Sequence, residues 1–246
     1  GENMKNSKSA FTLAEVLITL GIIGVVAALT MPSLINKYQE MALKQQFKKV
    51  YNTISNAQLK AYSENDNNPY SCYYGIPGGC AEYAEDGSCA RSYEHSINGE
   101  CPQFYDALKS SLNVVKVCDN NALENGCISK DMKGINLVNR ENNPDLSDED
   151  ADMEFSGCSG FFDNYIKNVN PTWVLADGSI IGFYPIILGK IFWVDINGQR
   201  KPNKWGYDIF AFQLREVRKG IVKIESGGCM VVEKGGKSVS KMINDI

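Results

Sequence analysis

Between residues 11 and 35 the chain carries a single charge, Glu15, inside an otherwise apolar run of 25 residues. At about 1.5 Å of rise per residue, roughly 20 apolar residues cross the hydrocarbon core of a bilayer. Any fold of this chain therefore begins with a helix able to span a membrane. An acidic side chain within a span is costly unless something neutralises it, which marks Glu15 as a functional position. Lys5 and Lys8 before the run and Lys37 beyond it agree with an N-terminus inside and a C-terminal part outside.

Lys5-Asn6-Ser7-Lys8-Ser9-Ala10 followed by Phe11-Thr12-Leu13-Ala14-Glu15 resembles the leader and mature start of type IV pilins and type II secretion pseudopilins. The resemblance implies that residues 1–10 are a prepilin leader, cut between Ala10 and Phe11 by a prepilin peptidase/methyltransferase that then methylates the Phe11 nitrogen. It also implies that Glu15, the fifth mature residue, pairs on assembly with the amino group of Phe11 on a neighbouring subunit. Pro32 sits where family members carry a proline that loosens the helix. One residue departs from the family pattern, Ala10 in place of the usual glycine, and alanine is small enough for cutting to survive. A secretory signal cut near Val26-Ala27-Ala28 is the competing reading. It leaves Phe11-Thr12-Leu13 and the acid ahead of the apolar core without a purpose.

Helical periodicity does not stop at the membrane. Phe47, Val50, Tyr51, Ile54, Ala57 and Ala61 recur three or four residues apart, with Lys44, Lys48, Lys49 and Lys60 between them, the pattern of an amphipathic helix. The breaker-rich Glu64-Asn65-Asp66-Asn67-Asn68-Pro69 ends it. The reading is one helix about 80 Å long, with a membrane or assembly half over 11–35 and an amphipathic half over 36–65. Pro32 removes a backbone hydrogen bond, which predicts a kink or local melting.

Residues 66–170 read as a long connecting region rich in Asn, Gly and Cys, with one short helix over 102–112. All eight cysteines (Cys72, Cys80, Cys89, Cys101, Cys118, Cys127, Cys158 and Cys229) lie beyond the membrane segment. An even count in an exported domain reads as disulfides, with 105 pairings open. The expectation is that Cys72 to Cys127 staple the loop region, while Cys158 and Cys229 tie the sheet to its flanks. Structural zinc is a poor fit, because there is no CxxC and His95 is the sole histidine. The acidic run Asp145, Asp148, Glu149, Asp150, Asp152 and Glu154 reads as a solvated loop. A net charge of −4 gives no reason to expect nucleic acid as a partner.

From residue 171 to 246 the pattern changes to strands, over 172–176, 179–184, 190–196, 208–214 and 220–224. Asp177-Gly178 between the first two is a hairpin signal. Short turns between strands imply an antiparallel meander. Its apolar face, laid on the amphipathic half of the helix, gives an α+β fold with one core and a cysteine-rich loop region. This is the head the pilin resemblance implies.

The loop from Val194 to Asp208 contains Asp195-Ile196-Asn197-Gly198, then Pro202-Asn203 and Gly206-Tyr207-Asp208, and it resembles a loop recurring in pilin-like heads. Asp195, Asn197, Asn203 and Asp208 could offer oxygens to Ca²⁺, which takes six to eight hard ligands. The start mimics an EF-hand, but Gly206 stands at the twelfth position where a bidentate Glu belongs. Arg200, Lys201 and Lys204 would repel a cation. The alternative is an Asx-type turn, in which Asp195 and Asn197 bond their own backbone.

No nucleophile motif, phosphate loop or paired-carboxylate signature suggests an enzyme. The expected function is a structural subunit of a type IV pilus or pilus-like type II secretion filament. Its expected partners are the prepilin peptidase, copies of itself and other pilins, and an inner-membrane assembly platform. It would wait in the inner membrane as a single-pass precursor with a cytoplasmic N-terminus. Its head would be periplasmic or extracellular. The alternative is a secreted or membrane-anchored disulfide-rich binding or adhesion module.

Overall fold

Helix α1 runs over Leu13–Glu64 with Pro32 inside it, ending within a residue of where the breaker cluster places its stop. The computed structural model describes residues 12–64, 80–86, 89–92, 102–184, 191–218 and 221–244. Contacts divide the chain into two units, Gly1–Ala42 and Leu43–Ile246. In the first unit the large apolar side chains of α1 stand exposed, among them Leu17, Ile22, Ile23 and Leu29. Of the expected kink or local melting at Pro32, melting is absent, since α1 is helical on both sides of the proline; a proline deletes one donor while the turns on either side keep theirs.

In the second unit the remainder of α1 buries Phe47, Val50, Ile54, Ala57 and Ala61, a stripe on one side of the helix. The stripe packs on a six-stranded antiparallel sheet in the order β3-β4-β5-β6-β7-β8. Its strands are β3 (Val114–Cys118), β4 (Thr172–Leu175), β5 (Ile180–Phe183), β6 (Ile191–Asp195), β7 (Ile209–Arg218) and β8 (Ile221–Ser226). Every strand pairs with its neighbour in sequence, so the sheet is the predicted meander with one strand added. Phe47 meets Phe210 edge-on at 4.8 Å and Phe212 at 6.0 Å between ring centres, and such pairs add to area burial. Helix α2 (Pro102–Leu112) has the bounds expected from sequence and adds Leu108 and Leu112 to this core. The Asp-Gly turn is also as expected: Gly178 takes φ 89°, and Lys49 of α1 reaches Asp177 at 3.0 Å.

The sheet does not have a single apolar face. Ile180, Trp193, Ile209 and Ala211 point away from α1 into a second core with Met132, Ile135, Val138, Phe161 and Trp205. The region from 66 to 170 therefore holds more regular structure than the sequence predicts. The short hairpin β1 (Cys80–Tyr83) and β2 (Cys89–Ser92) is followed, after α2 and β3, by α3 (Ile135–Asn142) and α4 (Asp148–Glu154). A 3₁₀ turn (Ser156–Phe161) and a π turn (Tyr165–Val169) then lead into β4. The acidic run is largely helix α4 rather than loop. Ser147 caps it by accepting the Asp150 N–H at 3.1 Å, and three acids in its first turn complement the helix dipole. Arg140 of α3 clamps Asp152 at 2.6 and 2.9 Å and Asp148 at 2.8 Å.

Two disulfides are described, Cys118–Cys127 and Cys158–Cys229. The second ties the 3₁₀ turn to the segment after β8, as a bond between sheet and flank. Cys72 and Cys101 fall outside the described residues, as does His95, and of Cys80 and Cys89 only the strands carrying them are described.

Gly182 of β5 faces Trp193 of β6 across the ladder. A methyl group there would lie 2.0 Å from Cε2 of the Trp193 ring, which is fully buried. The ring cannot swing aside in a packed core, so Gly182→Ala should destabilise the head by about 1–3 kcal/mol. A urea titration of the full chain in detergent, followed by tryptophan fluorescence, reads this as a lower midpoint. An unchanged midpoint would mean the second core is loosely packed.

Candidate functional site

At the start of α1, Thr12 is the residue before the first helical turn, and its carbonyl accepts the Val16 N–H at 3.2 Å. Its hydroxyl accepts the Glu15 N–H at 3.3 Å, while a Glu15 carboxylate oxygen accepts the Thr12 N–H at 2.8 Å. This is a reciprocal capping box, in which two otherwise unpaired N–H groups are satisfied. The Thr12 hydroxyl also donates to that same oxygen, Oε2, at 2.8 Å. Ala10 and Phe11 precede the described residues, and Pro32 lies within α1. Thr12 is the residue sequence reasoning passed over, although Thr-x-x-Glu ahead of an apolar run is a readable helix-start signature.

The second location is the loop between β6 and β7. It brings Asp195, Asn197, Asn203 and Asp208 into one cluster, all buried. Asp195 closes β6 on the face shared with Trp193 and accepts the Asn197 N–H at 3.2 Å, the Asx-type bond. Asp208 accepts the N–H of Asn203 at 2.8 Å and of Lys204 at 2.7 Å, one on each oxygen. Asn197 bonds Asp208 through its side chain and donates from Nδ2 to the Lys201 carbonyl at 3.2 Å. The backbone bends sharply to achieve this: Lys201-Pro202 is cis, and Asn203 takes φ 52°. Gly198, at φ 70°, comes so near the β4–β5 turn that a Cβ would sit 2.1 Å from the Gly178 carbonyl oxygen.

The electrostatics of the cluster are unbalanced. Burial, and then the nearby Asp208 charge, push the Asp195 carboxyl well above its usual range. Asp208 is raised to about 6, chiefly by burial, although the loop N–H groups pull it down. Asn197 Oδ1 and both polar atoms of the Asn203 side chain are buried without a hydrogen-bond partner. Buried amide atoms left unpaired are costly. The two carboxylates and the orphaned amide oxygens form a donor set of the hard type that Ca²⁺ takes. Among the described residues no group of three or more His, Cys, Asp and Glu stands together, so any cation here would rely on amide and backbone oxygens. Of the basic side chains near the cluster, Arg200 stays beside it and its charge favours the Asp195 carboxylate. Arg200 Nε bonds the Asn197 carbonyl at 3.1 Å, while Lys204 turns to Glu233 at 3.8 Å.

Glu233 is a further residue the sequence does not flag. It accepts the Trp205 N–H at 3.1 Å, and Trp205 Nε1 donates to the Lys133 carbonyl at 2.7 Å. Together they pin the loop to two distant segments. No local pattern in the sequence could signal a partner 28 residues away.

Residues 5–31 match the family described as the prokaryotic N-terminal methylation motif, the prepilin-type leader of type IV pilins and pseudopilins. The match takes in Ala10, Phe11, Thr12 and Glu15 and stops one residue before Pro32. No curated protein and no solved structure gives a significant match to the chain. The motif and the exposed apolar helix together fit a membrane-anchored precursor.

With divalent cations chelated, stability should fall as pH rises from about 4 to about 6. In that window the native state binds more protons than the unfolded chain, because the Asp208 carboxyl is raised from 3.8 to about 6 on folding. A shift of that size corresponds to on the order of 3 kcal/mol. Melting temperatures across this range should drop for the native chain and drop less for Asp208→Asn.

Proposed function

We propose that this chain is a structural subunit of a type IV pilus or pilus-like secretion filament. On this reading a prepilin peptidase cuts before Phe11 and methylates it, and the subunit assembles through its N-terminal helix. The observation that carries the reading is the methylation motif over residues 5–31. Its support is the helix that follows directly, whose large apolar side chains find no cover within the unit that holds them. In a bundle of such helices an unpaired Glu15 would cost several kcal/mol. Its pairing with the Phe11 amino group of a neighbour sets the stacking register, and Pro32 gives the packed helix room to adjust.

Intact mass and N-terminal sequencing of protein from its native cells test the processing step. A chain beginning at Phe11 with one added methyl is the expected result, and a chain beginning near Leu29 would sink the proposal. Glu15→Ala should leave membrane levels unchanged and block entry into filaments.

A second reading concerns the β6–β7 loop. The unpaired buried oxygens of Asn197 and Asn203 beside two carboxylates favour Ca²⁺ held by Asp195, Asn197, Asn203 and Asp208 as a structural ion of the head. Millimolar CaCl₂ added to chelator-treated protein at pH 7.5 should raise its melting temperature. Asn203→Ala should remove the rise. No calcium effect on the native chain would leave the loop as a turn closed by its own hydrogen bonds.

A further inference from the structure

A cleft of about 400 Å³ opens on the head beside the β6–β7 loop. Three segments far apart in sequence line it: Asp131 and Lys133 ahead of α3, Lys201-Pro202-Asn203-Lys204 of the loop, and Glu233 beyond β8. That volume lies within the range of roughly 300–1,000 Å³ found for small-molecule sites. Its wall carries both signs of charge. Some of these groups are already engaged: Lys133 holds Glu141 at 2.6 and 2.8 Å, and Glu233 accepts the Trp205 N–H on Oε1. Others are not. Among the described residues the Lys201 ammonium and the Asp131 carboxylate have no partner. Lys204 stands 3.8 Å from Glu233 Oε2, beyond hydrogen-bond length. We propose that this cleft binds a saccharide carrying a carboxylate, of the uronic-acid class. Nothing in this binding depends on the N-terminal helix or on entry into a filament.

The mixture of charges selects the ligand. A small dense anion such as phosphate gains from Lys201 and Lys204 but meets Asp131 and Glu233 on the same wall, where like charges repel. A neutral sugar uses the carboxylates as acceptors for its hydroxyls and leaves the ammonium groups without a partner. A sugar acid uses both. Its carboxylate takes charge-assisted bonds from Lys201 and Lys204, and its hydroxyls donate to Asp131 and to Glu233 Oε2. Glu233 is suited to this role. Its side chain is only 13% exposed and its other oxygen is tied to the Trp205 backbone, so its position is set before a ligand arrives. Burial raises its pKa, and the Trp205 N–H, Lys204 and Lys133 pull it back toward the charged form. Pro202 adds an apolar patch to the wall for the C–H face of a sugar ring.

The test uses the full chain in detergent at a fixed calcium concentration, with saturation-transfer NMR on glucuronic acid and on glucose. Inorganic phosphate and a single-stranded oligonucleotide serve as competitors. Glucuronate should show transfer, glucose should show far less, and phosphate at equal concentration should not displace glucuronate. Lys201→Ala should weaken glucuronate binding roughly tenfold, the effect of losing one hydrogen bond to a charged group, and Lys201→Arg should retain it. Lys201 lends the loop only its carbonyl, which the substitution leaves in place. Asp131→Ala, on a separate segment, should weaken binding as well, with no change in melting temperature. Equal transfer to glucose, or displacement by phosphate, would overturn the sugar-acid assignment. Tighter binding of the oligonucleotide through the same residues would overturn it in favour of nucleic acid. Glucuronate binding that ignores both substitutions would place the site elsewhere, and no glucuronate binding at all would sink the proposal.

Discussion

The head depends on a sheet that is buried on both faces. In β6 and β7 successive residues turn alternately to two cores. Phe192, Val194, Phe210 and Phe212 face the side where α1 packs, and Trp193, Ile209 and Ala211 face the other. From Phe192 to Asp195 and from Ile209 to Phe212 every side chain is buried, so no residue in those stretches is free to vary in size. Phe47 fixes the first side by filling the space beside Phe210 and Phe212. Segments between residues 122 and 166 close the second side, and Trp205 and Glu233 lock the long loop against them.

Two surfaces of different character share one helix. In residues 13–42 apolar side chains are exposed all round, as a lipid-facing or subunit-facing helix requires. From Phe47 onward the apolar positions narrow to a stripe, with lysines between them. The change is written in residue spacing alone. It explains why both the extent of α1 and its role in the core could be read from the sequence.

Other features were legible for equally local reasons. The Asp-Gly turn, the five C-terminal strands and α2 each carry their signal within ten or so residues. Strand β3 escaped notice because Val114-Val115-Lys116-Val117-Cys118 shows no alternation; it is an edge strand with Val115 and Val117 exposed. The second core was hidden for a different reason. Ile180-Ile181 and Ile191-Phe192-Trp193-Val194 are unbroken apolar runs, which signal burial on both faces, but what covers the far face comes from scattered residues such as Met132 and Phe161. In the β6–β7 loop the oxygen-bearing residues could be named from the sequence, whereas the unpaired state of Asn203 is a property of the folded backbone. At the helix start the Thr-x-x-Glu pattern is a local signal, carried by Thr12 and Glu15 three residues apart.

The Cys158–Cys229 bond has a mechanical consequence. It joins the chain just before β4 to the chain just after β8 and encloses five of the six strands of the main sheet in one covalent ring. Tension applied across the head, from α1 towards the C-terminal helix over Val239–Asn244, would pass from sulfur to sulfur and bypass those strands. Of the main sheet, only β3 lies outside the ring and could be peeled away. A subunit built in this way can yield under load at its edge while its centre cannot be drawn out.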